Sequence, residues 1–174
     1  MPLKTEKPQP LLVAIFMIYL LLLGWLVLLK LQFFIPVLEN GRILNLLPFR
    51  DAFFSDGIHL SEVHNNILAF LPFGLYSCML KGGWPFWKKL LATFCVSLAF
   101  EVCQFVFAIG RADITDLITN TLGSAIGIGL YTLISRLLND KTNRVLTILF
   151  ALLTGLILLL ILALLLSGRW IRIQ

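Results

Sequence analysis

The sequence predicts an all-α integral membrane protein: a bundle of about five transmembrane helices with an interfacial extracytoplasmic segment. Three observations predict it. Hydrophobic residues make up 59% of the chain and charged ones only 13%, where soluble domains carry about 25% charged residues. Apolar runs recur at the length of roughly 20 helical residues that a hydrocarbon core of about 30 Å requires. One stretch, residues 101–120, crowds a glutamate, two amides, an arginine and two aspartates between oily sequence on both sides. At 174 residues the chain reads as a single membrane domain, 1–174.

Taken in order, residues 1–10 form a polar tail with three prolines, Lys4 and Lys7. Residues 11–29 are the first span. The flank Trp25-Leu-Val-Leu-Leu-Lys30 offers no small-x-small cleavage site, so the run reads as an anchor rather than a signal peptide. Residues 31–64 mix short apolar pieces with Glu39, Arg42, Arg50, Asp51, Asp56, Glu62 and His64. Aromatics beside charges, with no run long enough to span, suit a segment at the membrane–water interface. The second span is 60–80, with Glu62, His64, Asn65 and Asn66 in its first half and Pro72 at its middle. A basic loop, Lys81 to Lys89, leads to the third span, 90–109.

At about 100° per residue, Ser97, Glu101, Gln104 and Ala108 fall on one face of that third span. On the fourth, 114–138, Asp113, Asp116 and Asn120 share a face that continues through Gly123, Ser124, Gly127 and Tyr131. The spacing Gly123-x-x-x-Gly127 allows close helix contact in membranes. The two stripes predict that spans three and four pack as a hairpin through these faces. The fifth span, 145–167, is almost entirely Leu, Ile and Ala and reads as lipid-facing; Arg169, Trp170 and Arg172 follow it as an interfacial anchor.

Five spans place the termini on opposite sides. With the N-terminus inside, eight of the 14 Lys and Arg lie on the cytoplasmic side: Lys4, Lys7, Lys81, Lys88, Lys89, Arg136, Lys141 and Arg144. The short lysine loop is the clearest positive-inside signal. The net charge of +5 therefore belongs to orientation and anionic head groups, and no nucleic-acid partner is expected. The three cysteines (Cys78, Cys95, Cys103) lie inside the spans without metal-ligand spacing and read as small hydrophobes.

Ionisable groups within a membrane cost roughly 2.5–3.5 kcal/mol each on insertion scales, and so are functional candidates. Asp113 is placed to cap the fourth helix, with Asp116 in its first turn near the dipole's positive end. That structural role leaves Asn120 and Glu101 unexplained. Glu101 is either protonated or paired, with Arg111 the nearest base and Gln104 placed to bridge them. The carboxylates and amides supply oxygen ligands of the kind that hold divalent cations. With no histidine in the stretch, however, the expectation is no metal and no cofactor.

These motifs carry a resemblance. Asn45-Leu-Leu-Pro-Phe49, Asn66-Ile-Leu-Ala-Phe-Leu-Pro-Phe-Gly74, Glu101-x-x-Gln104 and Arg111-x-Asp113-x-x-Asp116-x-x-x-Asn120-x-x-Gly123 resemble the signature of the VanZ-like membrane protein family, over about residues 45–131. The resemblance carries over Asn66, Phe70, Pro72, Gly74, Glu101, Gln104, Arg111, Asp113, Asp116, Asn120 and Gly123. The family is named for a protein that gives resistance to the lipid-bearing glycopeptide teicoplanin. The expected location is the bacterial cytoplasmic membrane, multi-pass, with membrane lipids as partners.

The functional expectation is an outward-facing polar pocket of Asn66, Glu101, Gln104, Arg111, Asp113, Asp116 and Asn120, walled by Phe70, Phe73 and Phe105. It would engage a lipid-linked cell-wall precursor or a lipoglycopeptide. The alternative is an intramembrane enzyme acting on an envelope lipid, with Glu101 or an aspartate as general base or metal ligand. No Ser, Cys or His stands in a nucleophile-with-base arrangement. A lipid transporter would be expected to show matching half-chains, and none is legible.

Overall fold

Long apolar stretches without internal water must satisfy every backbone group within the segment, so they form helices. The computed structural model describes residues 9–29, 43–49 and 59–167. The N-terminal tail, most of the expected interfacial segment and the Arg169, Trp170 and Arg172 anchor lie outside the described residues. In chain order the elements are α1 (Pro10–Leu29), β1 (Ile43–Asn45), α2 (His59–Leu80), α3 (Phe86–Phe107), β2 (Arg111–Asp113), α4 (Ile114–Leu138), a short 3-10 turn (Asn139–Lys141) and α5 (Thr142–Leu166).

Three helical runs are long and apolar enough to cross a membrane: Pro10–Leu28, Phe86–Phe107 and the 53-residue stretch Ile114–Leu166. Asn139 breaks the last run, at φ 48° and ψ −126°, a backbone conformation that cannot continue an α-helix. The 3-10 turn that follows separates α4 from α5. α2 is not among the three, because His64, Asn65 and Asn66 dilute its first half. Length and composition thus support three crossing runs among the described residues, the last of them holding both α4 and α5. The chain is a mostly helical membrane protein.

Two features depart from an all-helical reading. β1 and β2 pair in parallel, with Ile43 opposite Arg111, Leu44 opposite Ala112 and Asn45 opposite Asp113. Three-residue strands leave no periodicity to read, since each is shorter than one amphipathic repeat. α3 also begins at Phe86, so Lys88 and Lys89 belong to the helix and not to a loop.

Packing follows a pattern inverted from that of a soluble protein. Every buried residue of α3 is polar or charged: Lys89, Thr93, Ser97, Glu101 and Gln104. Leu91, Leu98, Val102 and Val106 of the same helix face outward, as do most residues of α5 beyond Phe150. Hydrocarbon around the bundle makes outward leucines cost nothing and forces polar groups inward. Apolar packing fills the space between α1 and its neighbours. Leu12 and Ile15 meet Leu75, Tyr76 and Met79 of α2 and Leu146 and Phe150 of α5, with Tyr76 and Phe150 stacked at 4.4 Å. Leu23 meets Phe70 and Phe73.

The most extensive helix pair is α2 with α4, not α3 with α4. A Cβ on Gly123 would collide with the Ile67 carbonyl, one on Gly127 with the Leu71 carbonyl, and one on Gly74 with the Ser124 carbonyl. Backbone meets backbone along this line, which only glycine permits. The Gly123 and Gly127 face was expected against α3 and packs on α2 instead. The expectation failed because small residues on α3 mark its polar seam, while Gly74 supplies the true complement one helix earlier. α3 packs on the adjoining face of α4, through Ser97 and Thr93.

Candidate functional site

The site is assembled at one end of the bundle, where α2 begins, α3 ends and α4 begins. α3 closes on Ala108, at φ 53°, whose amide bonds the Gln104 carbonyl. The chain turns through Gly110 into β2. A Cβ at Gly110 would stand 3.0 Å from Gln104 Nε2, so the turn is drawn against the Gln104 side chain. β2 then delivers Asp113 to the N-terminus of α4.

Asp113 joins three elements. Its Oδ1 accepts from the Thr115 amide at 2.8 Å, the N-cap that the sequence predicts. Its Oδ2 accepts from Asn45 Nδ2 at 2.8 Å, fastening β1. Its own amide donates to Glu101 Oε2 at 2.7 Å, fastening α3. Two further bonds tie the Asn45-Leu-Leu-Pro-Phe49 segment. The Leu47 amide donates to Asn45 Oδ1 at 3.2 Å, and the Phe49 amide donates to Thr115 Oγ1 at 3.0 Å. From α2, Asn66 Nδ2 donates to Asp116 Oδ1 at 2.8 Å. From α1, the Val27 carbonyl accepts from Gln104 Nε2 at 3.0 Å.

Deeper in the bundle the polar seam continues between α3 and α4. Asn120 Nδ2 donates to Ser97 Oγ at 2.8 Å, and Thr93 Oγ1 donates to Ser124 Oγ at 2.7 Å. At the far end Lys89, buried between α2 and α3, points Nζ at Cys78 Sγ at 3.5 Å. Interhelical hydrogen bonds in membranes average about 0.6 kcal/mol each, so these bonds fix register more than they supply stability.

The seven sequence-predicted residues separate by depth. Asn120, Gln104 and Glu101 are 1%, 5% and 6% exposed. Asn66, Asp113 and Asp116 are half-buried, and Arg111 is exposed. The bridge drawn in sequence from Glu101 through Gln104 to Arg111 is not the arrangement found for Gln104, which turns to α1, while the Glu101 hydrogen bond comes from the Asp113 amide. Nor is Phe70 a wall facing a cavity. It is fully buried among Leu23, Phe73 and Phe100. Sequence reasoning missed Asn45 as a partner of Asp113, although the Asn-Leu-Leu-Pro-Phe motif had marked its segment. It set Ser124 on the polar face of α4 without naming Thr93 as its partner, and it missed Thr115, whose small hydroxyl looks like ordinary helix filler until its neighbours are known.

Acceptors outnumber donors here. Glu101 Oε1, Gln104 Oε1 and Asn120 Oδ1 are buried and, among the described residues, have no hydrogen-bond partner. An unpaired buried group costs about 1–3 kcal/mol. Among the described residues no three His, Cys, Asp or Glu side chains come together as a metal cage.

The comparisons with known proteins agree with one another. The family model described as VanZ/LLP1 matches residues 16–135, from within α1 almost to the end of α4. The chain is 42% identical to Protein VanZ of Enterococcus faecium over 126 residues, which cover 71% of this chain and 75% of the relative. No solved structure matches it.

Proposed function

Since this chain belongs to the VanZ/LLP1 family, we propose that it is a bacterial cytoplasmic-membrane protein whose polar cluster engages the head group of a lipid-linked or lipophilic envelope ligand. A cell-wall precursor lipid or a lipoglycopeptide of the teicoplanin type has that chemistry, and the family association with teicoplanin resistance points to the same ligand class. In the proposed topology all five helices cross the membrane, the N-terminus and the Lys81–Lys89 segment face the cytoplasm, and the cluster opens to the outside.

One observation carries this reading. Asn45, Asn66, Asp113 and Asp116 come from four separate elements and meet at one end of a bundle that is otherwise hydrocarbon. A chain that needed only to pack in lipid would have no reason to concentrate carboxylates there. Asn66, Asp116 and Arg111 stand at the accessible rim, where a lipid head group would arrive with its acyl chain still among the outward-facing leucines.

The test is teicoplanin susceptibility of a sensitive host in which the wild-type chain confers protection, with each variant at equal membrane level. Arg111→Ala and Asp116→Ala should each reduce protection, and the triple variant with Glu101→Leu should abolish it. Protection that survives the triple variant would end the reading and leave the cluster as scaffold.

A further inference from the structure

The acceptor excess inside the seam carries a second inference, independent of which envelope ligand the outer rim takes. Three buried oxygens are without a hydrogen-bond partner among the described residues: Glu101 Oε1, Gln104 Oε1 and Asn120 Oδ1. Their residues are 6%, 5% and 1% exposed. Glu101 and Gln104 stand three apart on one face of α3. Asn120 is docked onto the same face one turn deeper, by its 2.8 Å bond to Ser97 Oγ. The remaining polar atoms of these three side chains are already committed: Glu101 Oε2 to the Asp113 amide, Gln104 Nε2 to the Val27 carbonyl, and Asn120 Nδ2 to Ser97. The Asp113 amide and the Val27 carbonyl fix the leftover atoms of Glu101 and Gln104 as acceptors, and in the orientation found, with Nδ2 on Ser97, the atom left over on Asn120 is also an acceptor.

An acceptor-only set can be relieved only by a donor or a cation. A lipid head group is too large to reach atoms sealed between helices. The charge of the set is one carboxylate plus neutral amide oxygens, and no three acidic, His or Cys side chains gather among the described residues. Divalent ions are held by sites richer in carboxylate. Oxygen ligands of low total charge inside a helix bundle suit a small monovalent ion instead, and intramembrane ionisable residues are functional-site candidates by default.

We propose that Glu101 Oε1, Gln104 Oε1 and Asn120 Oδ1, with the Ser97 hydroxyl beside them, form a binding site for a dehydrated sodium-sized monovalent cation between α3 and α4. The cation ties the outer ends of the two helices together, beneath the rim formed by Asp113, Asp116 and Asn66.

Purified full-length protein in detergent tests it, by thermal denaturation in sodium chloride against choline chloride at matched ionic strength. For the wild type, Tm should rise by about 3–5 °C per tenfold sodium above half-saturation, and radioactive sodium should bind at one ion per chain. Glu101→Gln gives the sharper result. The Asp113 amide holds the new carbonyl, so the new amide NH2 takes the place of Oε1 and donates to the neighbouring acceptors. That variant should match or exceed the wild-type Tm in choline and lose its sodium response. Asn120→Ala should raise half-saturating sodium at least tenfold. A wild-type Tm indifferent to sodium overturns the site, as does a Glu101→Gln variant that keeps the sodium slope. A Tm that climbs on acidification and ignores sodium assigns the relief to a proton on Glu101 and equally overturns it. The isotope measurement on the wild type decides the matter even if a variant fails to fold.

Discussion

Asp113 shows how one short side chain holds several elements at once. One carboxylate oxygen caps α4, the other takes the Asn45 amide, and the backbone N–H holds Glu101. Asp113→Asn should keep the cap but turn an NH2 group toward the Asn45 NH2, costing about 1–3 kcal/mol through an unpaired buried donor and a lost charge-assisted bond. Asn45→Asp alone sets two carboxylates face to face and should cost more. The double variant exchanges donor and acceptor across the pair and should recover part of the loss, a coupling of about 0.5–3 kcal/mol in a double-mutant cycle. Unfolding in detergent with a far-ultraviolet readout measures it. Simple additivity would mean that the Asn45–Asp113 bond does not hold β1 in solution. Serine or threonine in place of Asp113 would cap α4 but release Asn45, which separates the local role from the long-range one.

At the scale of elements, the decisive contact is the backbone approach of α2 and α4 at Gly74, Gly123 and Gly127. Gly127→Ala places a methyl against the Leu71 carbonyl, with Gly74 Cα only 3.2 Å from it. Neither group is a flexible side chain able to move aside, so a loss of about 1–3 kcal/mol or more is expected. Gly129, two residues later on the same helix, has no atom within 4 Å of an added Cβ. Gly129→Ala should therefore be neutral, or stabilising by up to about 1 kcal/mol from helix propensity. Leu159→Ala on α5, where the side chain is 64% exposed, should change thermal stability by no more than about 0.5 kcal/mol. Equal Tm values for the three variants would mean that α2 and α4 do not touch as described. Pro72 adds a second element-level device. It removes the α2 rung that would end on the Leu68 carbonyl, and the next carbonyl, of Ala69, accepts a bond from the Tyr19 hydroxyl at 2.7 Å, which fastens α1 beside the proline.

For the whole molecule, the two ends of the bundle differ in charge. Among the described residues, the end holding the α2–α3 connection carries Lys81, Lys88 and Lys89, with Arg136, Lys141 and Arg144 and one acid, Asp140, near the α4–α5 break. The opposite end carries Glu62, Glu101, Asp113 and Asp116 with Arg111. The proposed topology puts the lysine-rich end in the cytoplasm. Gly83 and Ser61 are exposed at the two ends, and single cysteines there, with Cys78, Cys95 and Cys103 replaced, report the orientation. An impermeant maleimide should label Ser61→Cys in intact cells, and Gly83→Cys only after lysis. Labelling of Gly83→Cys from outside would reverse the topology and place the cluster in the cytoplasm.

Composition and period were enough to read the helical class and the polar faces of α3 and α4, because burial of polar groups in a lipid-embedded chain is forced by their chemistry. The face shared by Ser97, Glu101 and Gln104 is legible at about 100° per residue. So is the Asp113 cap, which depends on residues within one turn. Tertiary structure alone decided which helix meets which. Gly123 and Gly127 announce a close approach but carry nothing that distinguishes α2 from α3, since any small-residue face offers the same fit. The pairing of β1 with β2 joins residues 68 positions apart, across strands too short to show a period. The leftover oxygens of Glu101, Gln104 and Asn120 are likewise invisible in sequence. Each residue has a partner and a surplus, and the positions of the Asp113 amide and the Val27 carbonyl determine which atom of Glu101 and of Gln104 is left over.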